Sequence, residues 1–198
     1  MLSRARKQAV LALFVSLELV GMTVSSQGLL AHRVASDLHV TAPGIHFITG
    51  KSLLRLHDGA AVPFDFQLTV ASGSKNHVIA RALERFTVSY DVWQEKFSVV
   101  RVRDFHRSSM RLSAASAESW CLDNITIPTV GLPSGQELWA QLEIRSVESK
   151  EPLPAASGIN LATLIEIFSR PSRPEQDRWS VESAPFLLAD LKPDARLQ

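Results

Sequence analysis

Cysteine is almost missing from this chain. Cys121 is the only one in 198 residues, which excludes an internal disulfide and any thiolate zinc cluster. Excess charge is missing too: 21 Lys and Arg against 20 Asp and Glu leave a formal net charge of +1. Binding to a nucleic-acid backbone draws on several unbalanced cations, so no nucleic-acid partner is expected. There is no G-x-x-x-x-G-K-[ST], no G-x-G-x-x-G and no C-x-x-C, hence no sign of a phosphate loop, a dinucleotide turn or a dithiol redox site. A G-x-S-x-G nucleophile elbow is likewise absent. Internal repeats and low-complexity tracts are lacking. Long apolar runs are lacking with one exception, at the N-terminus.

There, Arg4, Arg6 and Lys7 precede an apolar run from Ala9 to Val24. A basic stretch followed by an apolar one is the pattern of a secretory signal. Val24 and Ser26 are small enough for the −3 and −1 positions of a cleavage site, which places a mature start near Gln27. The run is short for a bilayer span, which takes about 20 residues, and Glu18 within it is costly in lipid. A cleaved signal is the first reading. An uncleaved inner-membrane anchor through residues 9–24, or an ordinary soluble helix, are the alternatives. The division expected is a signal or anchor over 1–26, a single β-rich domain over 27–190, and a frayed tail over 191–198. Hydrophobic residues at 45% and charged residues at 21% are ordinary for a globular domain with a sizeable core.

The densest structural signal is Arg81–Asp104. Phe86, Val88, Tyr90 and Val92 recur at every second residue, with Thr87, Ser89 and Asp91 between them, so the two sets take opposite faces of a strand. A polar break at Gln94-Glu95-Lys96 leads to Phe97–Val102, rich in β-branched residues. The spacing predicts a β-hairpin. Pro63–Val70 alternates in the same way, with Phe64, Phe66, Leu68 and Val70 on one face. So does Glu137–Val147, with Leu138, Ala140, Leu142 and Ile144 inward. Asp65, Gln67, Glu143 and Arg145 are expected to face outward.

Other segments read less sharply. Gln27–Ser36 is a lead-in. Leu38–Ile48, interrupted by Pro43-Gly44, reads as two short strands or one bent edge strand. Lys51–Asp58 suits a short helix stopped at Gly59. Ser113 is placed to N-cap a helix with Ala117, Trp120 and Cys121 on one side. Asn160 caps a helix in which Leu161, Leu164, Ile165 and Phe168 follow a helical repeat. Trp179–Leu188 holds a last strand. Alternating strands are wet on one face, unlike buried parallel strands. The expected fold class is mainly β (α+β), an antiparallel sheet or β-sandwich with two or three short helices.

Candidate chemistry is sparse. His32, His39 and His46 recur at seven-residue intervals, but within one strand an odd spacing puts neighbours on opposite faces, so no metal site is expected. His57-Asp58 and Ser108-Ser109 have the residue types of a hydrolase but no motif that joins them. Asp65, Asp91 and Glu95 read as polar surface residues, although paired carboxylates do serve glycosidases. Cys121, beside Trp120 on an apolar side, reads as a buried small hydrophobe. Asn124-Ile125-Thr126 is a glycosylation sequon in a eukaryotic secretory pathway. Arg85, Arg101, Arg103 and Arg107 form a candidate docking surface for an acidic protein or an anionic lipid surface, with acidic residues interleaved. No cofactor is expected.

The order of signal, DGAAVPFDFQLTV (Asp58–Val70), RFTVSYDVWQEKFSVVRV (Arg85–Val102), short helix, LWAQLEIRSV and the Trp179 segment resembles a family of exported bacterial proteins that carry a domain of unknown function. The resemblance spans roughly Leu53 to Val181 and implies a compartment and a fold, with no activity and no site. The expected role is a non-catalytic envelope or periplasmic interaction module of unknown partner. A small-ligand or lipid carrier with an apolar pocket between sheet and helix is the alternative, and a hydrolase the third.

Overall fold

The computed structural model describes residues 28–104, 107–147 and 176–191. In chain order these residues form β1 (Leu30–Val34), β2 (Asp37–Thr41), α1 (Gly50–His57), β3 (Val62–Ser72), β4 (Val78–Asp91), β5 (Lys96–Arg101) and β6 (Ser108–Leu112). Then come α2 (Ala114–Asp123), β7 (Ile127–Pro128), β8 (Glu137–Ser146), β9 (Arg178–Glu182) and β10 (Phe186–Leu187), with a 3-10 turn over Leu188–Asp190. The fold is mainly β with antiparallel sheets and two helices among the described residues.

A seven-stranded sheet carries the architecture. β8, β3, β4, β5 and β6 lie side by side in that order, and β9 and β10 follow one another along the far side of β8. The long strands β3 and β4 set the frame. Phe64 stands opposite Phe86, and Val62 opposite Val88. On the same face Phe66 and Leu68 meet Ile144 and Leu142 of β8. The alternation in sequence thus becomes one continuous apolar face, and every one of these side chains is fully buried.

A three-stranded sheet, β1-β2-β7, helix α2 and the Ala42–Thr49 loop contribute Leu38, Val40, Ile127, Ala117, Cys121 and Phe47 to the same core. Phe47 is its centre, edge-on to Phe64 at 4.9 Å and to Phe66 at 5.2 Å between ring centroids. The core is therefore sandwiched between the large sheet and a cover of mixed composition.

Helix α2 starts where its sequence says it should. Ser113 is extended and its Oγ accepts the Ser116 N–H at 3.1 Å, satisfying one of the amide groups that a helix start leaves without a partner. Ser113→Ala is expected to lower the unfolding free energy by about 1 kcal/mol, read as a lower urea midpoint at unchanged slope. Helix α1 ends at Asp58, and Gly59 follows with φ +82°, a left-handed conformation that glycine takes without penalty.

Three segments depart from the sequence reading. The lead-in before Ser36 contains β1, paired to β2 through the two-residue connection Ala35-Ser36, with Ala35 at φ +51°. No glycine or proline marks that turn, so its signal is silent in the sequence. In the Leu38–Ile48 segment only the residues up to Thr41, the end of β2, are strand; beyond Pro43-Gly44 the chain turns inward to bury Phe47 and Ile48. Ser108–Leu112 is a short edge strand on β5, though its sequence does not alternate cleanly. The Asn160–Phe168 helix, the 1–26 segment and the tail beyond Leu191 lie outside the described residues.

Candidate functional site

The polar face of the large sheet is not the solvated surface that alternation suggests. Asp65 of β3 stands between Arg85 of β4 and Arg145 of β8, each directly opposite it in register. Its carboxylate accepts Arg85 Nε at 2.5 Å and Nη2 at 2.9 Å, and Arg145 Nη2 at 3.0 Å. Asp65 is 1% exposed, and both arginines are buried. Farther along the same face Glu143 pairs with Arg178 of β9. A forked guanidinium matches a carboxylate in geometry, which is why arginine rather than lysine suits such a ladder.

The four arginines proposed as a docking surface are dispersed by the fold. Arg85 is in this ladder. Arg101 stands opposite Phe86, on the other face, where its Nε donates to Glu84 Oε2 at 3.0 Å; that hydrogen bond raises its pKa further. Arg103 lies beyond the end of β5 and is exposed, and Arg107 is exposed with its Nε 3.7 Å from Asp104. Only Arg103 and Arg107 offer open cationic side chains, beside an acidic neighbour.

The residues considered for catalysis are occupied in other ways. His57 stacks on Tyr90 with ring centroids 4.5 Å apart. Asp65 holds two arginines. Cys121 is fully buried, and burial, with Glu118 nearby, pushes its thiol pKa well up, the opposite of a reactive thiolate. Glu118 of α2 is itself a clamp: Oε1 accepts the Ile48 N–H at 2.9 Å, and Oε2 accepts His46 Nδ1 at 3.0 Å. It fastens to the helix the loop that delivers Phe47. Among the described residues no three His, Cys, Asp or Glu side chains form a metal-ligand set. A cavity of about 560 Å³ beside α1 is lined by Lys51, Arg55, Asp58 and Asp177 among others. Asp177 closes one side by accepting the Ser52 N–H at 3.1 Å and the Ser52 hydroxyl at 2.8 Å.

The feature that sequence reading passed over is the tip of the β4–β5 hairpin. Asp91 Oδ1 accepts both the Trp93 N–H at 2.9 Å and the Gln94 N–H at 3.0 Å, the side-chain turn typical of aspartate. Glu95 closes the turn at φ +53°. The backbone is thus pinned, and it holds Trp93 96% exposed with Val92 56% exposed beside it. Met110 of neighbouring β6 is 72% exposed. A notch of about 290 Å³ opens among Asp91, Gln94, Lys96, Ser98, Met110 and Arg111, with Arg111 Nε donating to Gln94 Oε1 at 3.2 Å across it. The available signal was the tryptophan itself, placed between the last paired residue of one strand and the first of the next.

The fold and this tip define an antiparallel α+β domain that presents an aromatic side chain to solvent on a hydrogen-bonded turn. No family model, curated protein or solved structure matches the chain.

Proposed function

We propose that the domain is a non-catalytic, exported envelope or periplasmic interaction module, and that the β4–β5 tip is its point of contact. The observation that carries the reading is Trp93. Exposing a whole indole to water forgoes roughly 2–3 kcal/mol of burial, and Asp91 holds the backbone of the turn that carries it. Tryptophan is over-represented among the few side chains that dominate protein interfaces. A turn that is already rigid spends little entropy on binding. The basic-then-apolar start of the chain supports export. An envelope protein with an apolar pocket for the indole is the partner this geometry suits.

The test replaces Trp93 with a photo-cross-linking phenylalanine analogue in the native cell, with Ser134, an exposed loop residue, as the control position. A discrete cross-linked species at 93 and none at 134 is expected. Trp93→Ala should weaken capture of that same species by at least about tenfold. Its unfolding free energy should move by less than about 0.5 kcal/mol, since the ring packs on little. Equal cross-linking at both positions, or capture undiminished in Trp93→Ala, would overturn the proposal.

A further inference from the structure

We infer that the β1–β2 hairpin carries a two-histidine site for a divalent transition metal of the zinc type. His32 and His39 are directly opposite in the antiparallel register, because the two-residue turn at Ala35-Ser36 folds the odd spacing back on itself. The rule that odd spacing separates faces holds within one strand and is reversed across a hairpin. Their ring centroids are 5.7 Å apart with the planes 34° from parallel.

That separation is close to what a metal requires. With metal–nitrogen bonds of about 2.0–2.1 Å and a tetrahedral angle, two imidazoles on one zinc have ring centres about 5.2 Å apart. A small rotation about each side chain closes the difference. Both rings are half-buried, so they are held by the sheet yet open to solvent.

The surroundings suit a cation. Asp37, on β2, and Asp123, at the C-terminal end of α2, both act electrostatically on His39 in the direction that favours positive charge. With no third ligating side chain in a set with them among the described residues, the protein supplies two ligands and water completes the sphere. The ions that bind imidazole well in such a half-open site are zinc, nickel and copper. This inference does not depend on the Trp93 tip.

The experiment is a calorimetric titration of the full-length chain, purified without a polyhistidine tag, with zinc chloride near neutral pH. One equivalent per chain is expected. His32→Gln and His39→Gln should each weaken binding by at least about tenfold, since even outer-shell changes cost 10–100-fold at metal sites. His57→Gln, whose ring is stacked on Tyr90, should bind as the parent does. Side-chain NMR of the unaltered chain gives a readout independent of variant folding: the His32 and His39 ring signals should shift together at the same zinc concentration. Zinc binding that survives either hairpin substitution, shifts confined to other histidines, or no heat in the parent would overturn the assignment.

Discussion

Asp65→Ala is expected to lower the unfolding free energy by about 3–5 kcal/mol, a large share of the 5–15 kcal/mol typical of a domain. The cause is the company Asp65 keeps. Its carboxylate is shared by Arg85 and Arg145 on the two flanking strands, and all three side chains are buried. Removing the shared anion leaves two like charges close together in a medium that hydrates them poorly. The penalty therefore exceeds the worth of the hydrogen bonds removed. A companion variant separates these effects. Asp65→Leu combined with Arg85→Met and Arg145→Met removes these three charges together and is expected to cost less than Asp65→Ala alone. Urea unfolding monitored by circular dichroism reads both variants. A loss under about 1 kcal/mol for Asp65→Ala would mean that water reaches the guanidiniums and that the ladder is a surface feature.

Phe47→Ala is expected to cost about 3–5 kcal/mol, for a different reason. Phe47 is fully buried and touches three other rings: Phe64, Phe66 and, at 6.3 Å between centroids, Trp179. Its removal loses the transfer of an aromatic side chain from water and opens a hole bounded by rigid strands on one side. The Glu118 clamp holds the loop in place at Ile48, so the neighbourhood has little freedom to collapse into the space. The measurement is the denaturant midpoint together with near-ultraviolet circular dichroism, which should lose aromatic signal. A cost below about 1 kcal/mol would show that the loop readily repacks.

The strands that frame the core were legible because alternation is strongest where one face is fully apolar: Phe64 to Val70, Phe86 to Tyr90 and Leu138 to Ile144 all appear as the sequence suggests. Both helices came through their end signals, Ser113 at one and Gly59 at the other. Segments whose structure depends on a distant partner were hidden. β1 is a strand because β2 lies beside it, and Phe47 is inside because Glu118, seventy residues away in sequence, holds Ile48. The polar face misled for a related reason. Local alternation tells which residues share a face, but not whether that face stays wet, and Asp65 finds its arginines on two other strands. The candidate site was less legible still. Trp93 stands out by its exposure, and exposure belongs to the folded molecule.

The two edges of the large sheet bear on how this protein meets its own copies. β6 is only five residues long, its pairing to β5 slips between Phe97 and Val99, and Arg111 within it sits at φ +63°. At the opposite edge, β9 and β10 are separated by Ser183-Ala184-Pro185, and the Leu29 N–H already donates to Glu182 O at 3.1 Å. Among the described residues neither border presents a long, straight row of open amide groups. Strand-to-strand templating, the route by which sheets nucleate fibrils, is thereby blunted at both ends. Among the described residues, the sheet built around the fourteen-residue β4 thus offers a neighbouring copy only short or interrupted edges.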